Sequence, residues 1–69
     1  MLRLQDNEKL FIRENLDSPD ALIASENVND ILDPLDEWIA MNGFDDAYNL
    51  TDDGRTAQRI YDSIYLNNA

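Results

Sequence analysis

Residues that could carry out catalysis are scarce in this sequence, since its 69 residues include no histidine and no cysteine. The common pairs of a nucleophile and a general base therefore cannot form. Acid pairs such as Asp45-Asp46 are adjacent in sequence, and a two-carboxylate site also needs a cleft that so short a chain has little room to build. Two glycines are too few for a glycine-rich phosphate loop. We therefore expect no enzymatic activity and no cofactor.

The segment "NLTDDGRTAQRI", residues 49–60, resembles a calcium loop in its oxygen-bearing side chains and its glycine. An EF-hand loop needs ligands at positions 1, 3 and 5, glycine at 6 and a bidentate glutamate at 12. If Asn49 takes the first position, Ile60 falls at the twelfth and cannot bind calcium. We expect no metal site here. Thr51 is instead interpreted as the N-cap of a helix that begins at Asp52, where carboxylates favour the positive end of the helix dipole.

An overlapping stretch, Tyr48 to Arg55, resembles the junction "Y-x-L-T-x-x-G-R" that follows the wing in many winged-helix transcription regulators. The resemblance implies that a strand ends here and that Thr51 opens the closing helix. No basic recognition helix precedes this junction, and "GFDDAY", residues 43–48, leaves no room for a wing hairpin. A winged-helix-like remnant that acts through protein contacts is one interpretation, and binding to DNA or RNA is not expected.

The charge is strongly negative and unevenly distributed. The net charge is −10, and the span from Glu14 to Asp53 contains acids but no lysine or arginine. Such a field repels nucleic acid and anionic membranes and favours basic partners. The longest apolar runs are four residues, whereas a membrane span needs about 20 and a signal peptide about 7 to 15. Together with the absence of cysteine, this predicts a cytoplasmic protein.

The apolar pattern predicts an all-α fold, a single compact bundle of three or four short helices formed by residues 1–69. The first predicted helix covers residues 7–16, with Asp6 or Asn7 as its cap. Its expected buried residues are Leu10 and Phe11, flanked by Ile12 or Leu16. A core this small is marginal on its own, which makes association with a partner or with a second copy energetically attractive.

A second helix is predicted to begin with Ser18 as N-cap and Pro19 at the first helical position. Its apolar face is Ala21, Ala24, Val28, Ile31 and Leu32. Pro34 predicts a break, with Asp33 capping a third helix that ends at Asn42. This third helix carries Leu35, Trp38, Ile39 and Met41, with Gly43 as a left-handed cap. Alternatively, the second and third helices are one kinked helix, because the apolar phase continues from Val28 to Ile39.

The remaining residues predict a short connection and a final helix. Phe44 and Tyr48 are the expected anchors of the connection, and the last helix begins at Asp52. The predicted apolar face of this helix is Ala57, Ile60, Tyr61 and Ile64. The aromatic residues predicted to lie in the core are Phe11, Trp38, Phe44, Tyr61 and Tyr65.

One charge pattern suggests a function. Glu26, Asp30, Asp33 and Glu37, which we call the acidic stripe, are spaced by four, three and four residues. On one continuous helix they share a face, with successive carboxylates about 5 to 6 Å apart along the axis. The stripe predicts docking on a basic protein surface, including imitation of a nucleic-acid backbone. The alternative is a solvated face, because many of the aspartates have capping roles.

A second candidate surface lies near the C-terminus. Tyr65 flanks the apolar face of the last helix, and Leu66 falls on its polar side. An apolar residue left there would be frayed or part of an interface. We therefore predict a non-enzymatic regulatory or inhibitory protein that binds a basic partner, and a homodimer is the structural alternative. The predicted binding residues are Glu26, Asp30, Asp33, Glu37, Tyr65 and Leu66.

Overall fold

Four helices form most of the chain in the computed structural model, which describes residues 2–68. They are α1 (Asp6–Asn15), α2 (Pro19–Ala24), α3 (Asn29–Asn42) and α4 (Asp52–Asn68). The described residues contain no β-strand, and one isolated antiparallel bridge joins Phe44 to Leu50. The predicted all-α bundle is confirmed. In this described part of the chain, no helix is long and apolar enough to cross a membrane.

The core lies between α3 and α4, the most extensively packed pair of helices, and α1 completes it. Its buried apolar residues are Ile12, Leu16, Ile31, Leu32, Leu35, Ile39, Ala57, Ile60 and Ile64. Burying one large aliphatic side chain contributes about 1.5 to 3 kcal/mol. The two long helices therefore supply most of the apolar stabilisation, while α2 buries none of its residues completely.

The face of α1 that packs against the core differs from the face predicted from the sequence. Leu10 was predicted to be buried, but it is 56% exposed, and Phe11 is only half-buried. Ile12 is fully buried, and Leu16 is buried beyond the end of the helix. These two residues are four positions apart and share one side of the helix. The prediction for Leu10 was therefore wrong by about half a turn.

The N-terminus of α1 also differs from the prediction, because its cap is Gln5 and neither Asp6 nor Asn7. The Gln5 backbone N–H donates to a Glu8 carboxylate oxygen at 2.8 Å. This is the reciprocal half of a capping box, in which the third helical residue reaches back to the cap. The bond also explains why Glu8 is an acid that is only 1% exposed.

Ser18 starts α2 through its backbone and not through its hydroxyl. Its φ is 51°, and its side chain makes no capping hydrogen bond. The Leu22 N–H donates instead to the Ser18 carbonyl oxygen at 3.2 Å. The predicted capping role of the hydroxyl is wrong, whereas Pro19 at the first helical position is confirmed.

The chain leaves the helical path before Pro34, at residues 25–28. The Asn27 N–H donates to Ser25 Oγ at 3.1 Å, and Asn27 Oδ1 accepts the Asn29 N–H at 3.0 Å. Such local side-chain bonds compete with helical ones and end one helix while starting another. The predicted break at Asp33 is wrong. A single kinked helix is also wrong, although the apolar phase from Val28 onward is retained within α3.

Pro34 lies inside α3, which continues through it to Asn42. Proline in a helix interior removes one hydrogen bond and costs about 3 kcal/mol. Ile31 and Leu35, on either side of the proline, are both fully buried. Because each such burial contributes about 1.5 to 3 kcal/mol, keeping both side chains on one helical face outweighs the local penalty.

Two glycines let the end of α3 approach the start of α4. Gly43 was predicted to adopt a left-handed conformation, but its φ is −87°, so this prediction is wrong. A Cβ atom added to Gly54 would collide with the Gly43 carbonyl oxygen and would lie 2.8 Å from the Gly43 Cα. Position 54 therefore requires glycine for lack of space between the two backbones.

The connection between α3 and α4 is held by its own polar groups. Asp45 Oδ1 accepts the N–H groups of Ala47 and Asn49, each at 2.9 Å. Phe44 is 43% exposed and Tyr48, with a φ of 61°, is 87% exposed. The two predicted aromatic anchors are therefore wrong, because carboxylate-to-backbone bonds shape the loop and leave its aromatic rings outside.

Helix α4 begins at Asp52 as predicted, and Thr51 is confirmed as its cap. The Thr51 hydroxyl oxygen accepts the Gly54 N–H at 3.0 Å. The Thr51 N–H donates to the Gly43 carbonyl oxygen at 2.9 Å, which ties this cap to the end of α3. The predicted apolar face is also confirmed, with Ala57, Ile60 and Ile64 buried and Tyr61 half-buried.

Candidate protein-binding surface

Three residues of the predicted acidic stripe form an exposed row on α3. Asp30, Asp33 and Glu37 are all exposed, and their spacing of three and four residues keeps them on one side of a helix. The residues buried on the opposite side of α3 are Ile31, Leu35 and Ile39. We call the row formed by Asp30, Asp33 and Glu37 the acidic face.

Glu26 does not belong to this helical row. It lies in the segment between α2 and α3, where it is exposed. The expected continuous face therefore begins at Asp30 and not at Glu26, because the hydrogen bonds of Ser25 and Asn27 interrupt the helix. Ser25 Oγ also donates to Asp30 Oδ2 at 2.6 Å, which orients the first carboxylate of the acidic face.

The acidic face is not neutralised from within the protein. Among residues 2–68 the one ion pair joins Arg55 to Asp52 across 3.2 Å, within α4. All five bases lie on the N-terminal segment, α1 or α4. The N-terminal segment also meets the end of α4, since Asn68 Nδ2 donates to the Arg3 carbonyl oxygen at 3.0 Å. The bases are thus confined to the N-terminal segment, α1 and α4, while the charged residues of α2 and α3 are all acids.

Tyr65 and Leu66 form a separate exposed patch in the last turns of α4. They are 54% and 74% exposed, so the prediction that Tyr65 lies in the core is wrong. Ala57, Ile60 and Ile64 face the core, and Leu66 falls on the opposite side of the same helix. This patch belongs to a different helix from the acidic face.

A cleft beside the acidic face was not predicted from the sequence. Its volume is about 250 Å³, and residues from the end of α1, from α2 and from α3 line it. Its apolar lining residues are Leu16, Leu22, Pro34, Trp38 and Met41. We call this feature the apolar cleft. Met41 is 75% exposed and falls outside the phase of the buried α3 residues, which is the signal in the sequence that could have indicated it.

Trp38 gives the apolar cleft a rigid wall. It is half-buried, whereas the sequence had placed it in the core. The Phe11 ring of α1 packs edge-on against it, with ring centroids 5.2 Å apart and planes at 81°. Edge-to-face pairs of this kind add about 0.5 to 1.5 kcal/mol to simple burial, so the indole is fixed by α1 while one part of it faces the cleft.

The acids elsewhere in the described residues do not form a metal-binding arrangement. No cluster of three or more carboxylates in residues 2–68 has a geometry that would hold a metal ion. The buried carboxylate of Glu8 is engaged by the Gln5 backbone N–H at 2.8 Å. Thr51 and the acids that follow it serve to start α4. The candidate binding surfaces are therefore the acidic face, the apolar cleft and the exposed patch of Tyr65 and Leu66.

No family model, no curated protein and no solved structure matches this chain.

Proposed function

We propose that this protein is a small, non-enzymatic regulatory or inhibitory protein that docks through its acidic face on a basic surface of another protein. The observation that carries the proposal is the row of Asp30, Asp33 and Glu37, exposed and unpaired by any base of the described chain. Lysine or arginine side chains of a partner would supply the missing positive charge. Such complementarity mainly raises the association rate and the specificity.

The geometry of the row supports competition with nucleic acid as one form of this function. Residues three and four positions apart on a helix are separated by about 4.5 to 6 Å along its axis. A basic groove that accepts a row of backbone phosphates would find a similar row of charges here. The competing explanation is a solvated helix face, in which the acids serve solubility and helix starts alone.

The cytoplasmic location and the lack of nucleic-acid and membrane binding are parts of the same proposal, and the charge distribution supports them. A homodimer built on exposed apolar residues is the alternative. Leu66, 74% exposed on the outer side of α4, is the residue that favours it. A winged-helix-like remnant acting through protein contacts is a further alternative, supported by the Thr51 junction alone.

Capture from a lysate at low ionic strength, followed by elution in a salt gradient, tests the proposal. A variant with Asp30→Asn, Asp33→Asn and Glu37→Gln should retain its helical spectrum and lose the captured basic proteins. The matched control removes three exposed acids elsewhere, by Glu14→Gln, Asp46→Asn and Asp62→Asn, so that both variants have the same net charge.

Loss of capture in the acidic-face variant, with retention in the control, would support docking through α3. Equal capture by both variants and the unmodified protein would show that the row is only a solvated face. Equal loss in both variants would mean that total charge, and not this surface, attracts the partner.

A further inference from the structure

The apolar cleft is open and adjoins the acidic face directly, because Glu37 belongs to both. Leu16 forms its buried floor, and Leu22 and Trp38 are half-buried at its sides. Its two charged lining residues, Asp17 and Glu37, are both acids and both exposed. An apolar surface with an acidic rim is complementary to a chain segment that presents an apolar side chain between basic ones.

The size of the cleft indicates what it would hold. At about 250 Å³ it lies below the range of about 300 to 1,000 Å³ that is usual for small-molecule sites. It has room for one or two large side chains of a peptide. Buried aromatic or aliphatic anchors of this kind commonly supply most of the affinity of a protein interface.

We infer that the apolar cleft binds a basic amphipathic helix of a partner protein, with a large apolar side chain between Trp38 and Met41. Lysine or arginine residues on the same helix would pair with Asp17 and Glu37 at the rim and with the acidic face beyond. This inference rests on the proposed function and specifies its partner: the acidic face provides steering, and the cleft provides the anchor.

Trp38 is the single tryptophan of the chain and therefore reports on the cleft directly. The probe is a synthetic peptide of leucine and lysine, about 14 residues long, which gives about four helical turns. Its leucines repeat at helical spacing, and a second peptide has the same composition in scrambled order. Titration at low ionic strength should shift the Trp38 emission to shorter wavelength, with saturation, for the amphipathic peptide alone.

Two side chains of nearly equal exposure supply the matched variants. Met41, 75% exposed, lines the apolar cleft, and Leu66, 74% exposed, lies on α4 away from it. Met41→Ser should weaken peptide binding about fivefold to tenfold, roughly the loss of one partly buried apolar side chain. Leu66→Ser tests the rival surface on α4, and the Kd should stay within about twofold if the cleft holds the anchor.

The outcomes separate this inference from the proposed function. If Leu66→Ser weakens binding and Met41→Ser does not, the anchor lies on α4, and the proposal that the peptide binds in the apolar cleft is wrong. A third result is equal binding of the scrambled peptide, with unchanged Trp38 emission and loss of binding in the acidic-face variant. Binding in the apolar cleft would then be wrong, and docking through the acidic face would be retained. If binding is retained in the acidic-face variant and lost in Met41→Ser, the cleft is supported without the acidic face.

Discussion

Thr51 connects two helices through its backbone and its side chain. Its hydroxyl oxygen accepts the Gly54 N–H, while its own N–H donates to the Gly43 carbonyl oxygen at 2.9 Å. The first bond starts α4, and the second fixes where α3 stops. This junction ties the end of α3 to the start of α4.

Replacing Gly54 tests this junction, because the expected change in stability is opposite to the usual effect of replacing a helical glycine with alanine. Replacing glycine with alanine in a helix normally stabilises a protein by about 1 kcal/mol. Gly54→Ala should instead lower the midpoint of thermal unfolding, because the new Cβ would collide with the Gly43 backbone. The control is Gln58→Ala on the exposed side of α4, which should change the midpoint little. A stabilised Gly54→Ala variant would show that the helices do not approach as described.

At the scale of helices, α3 departs most from what its sequence indicates. Pro34 predicted a boundary, and the chain instead keeps Ile31, Leu35 and Ile39 on one buried face through the proline. The break that does occur, at residues 25–28, depends on hydrogen bonds from Ser25 and Asn27 that no periodicity reveals. Because α3 is continuous through Pro34, Asp33 and Glu37 lie on the same exposed side of one helix.

Pro34→Ala tests the continuity of α3. The change restores a backbone N–H and a better helix former, so the free energy of unfolding should rise by about 1 to 3 kcal/mol, after allowance for the entropy that proline removes from the unfolded chain. Denaturant unfolding measures this directly. A variant that is less stable than the unmodified protein would indicate that the helix ends before the proline.

The elements that were predictable share a feature, a strong local start signal in phase with an apolar face. α4 is the clearest case, since Thr51 and Asp52 precede Ala57, Ile60 and Ile64 at helical spacing. The face of α1 was not predictable, because Leu10 and Ile12 are both large and apolar, and only packing against α3 and α4 decides between them. The apolar cleft is a tertiary feature of three segments, and no single segment contains its pattern.

At the scale of the whole molecule, the acids outnumber the bases, and the bases are also separated from most of the acids along the chain. The five bases lie on the N-terminal segment, α1 or α4, and the span from Glu14 to Asp53 has none. The described residues contain one ion pair, Arg55 with Asp52. The folded state therefore concentrates repulsion among acids on α2, α3 and their connections, which opposes compaction.

This repulsion predicts that sodium chloride stabilises the protein. Circular dichroism should show mostly helix with a cooperative melt, and added salt should raise the melting midpoint. A rise of about 5 °C corresponds to about 1 kcal/mol in a domain of this size. Salt stabilises by screening the repulsion between carboxylates. The variant neutralised at Asp30, Asp33 and Glu37 should therefore show a smaller rise in melting midpoint.

A salt response of the same size in the unmodified protein and in that variant would contradict this explanation. Sedimentation over a concentration series, performed on the same samples, distinguishes a folded monomer from a homodimer. A random-coil spectrum at micromolar concentration would overturn the predicted bundle altogether.

The most direct test of docking through the acidic face is the rate of association with a captured basic partner, measured over a range of ionic strength. The unmodified protein should associate more slowly as salt is added, since steering by Asp30, Asp33 and Glu37 is screened over about 8 Å at physiological ionic strength. The variant neutralised at these three residues should associate slowly throughout and respond less to salt. Identical association rates and identical salt dependence for the two proteins would contradict the proposed function.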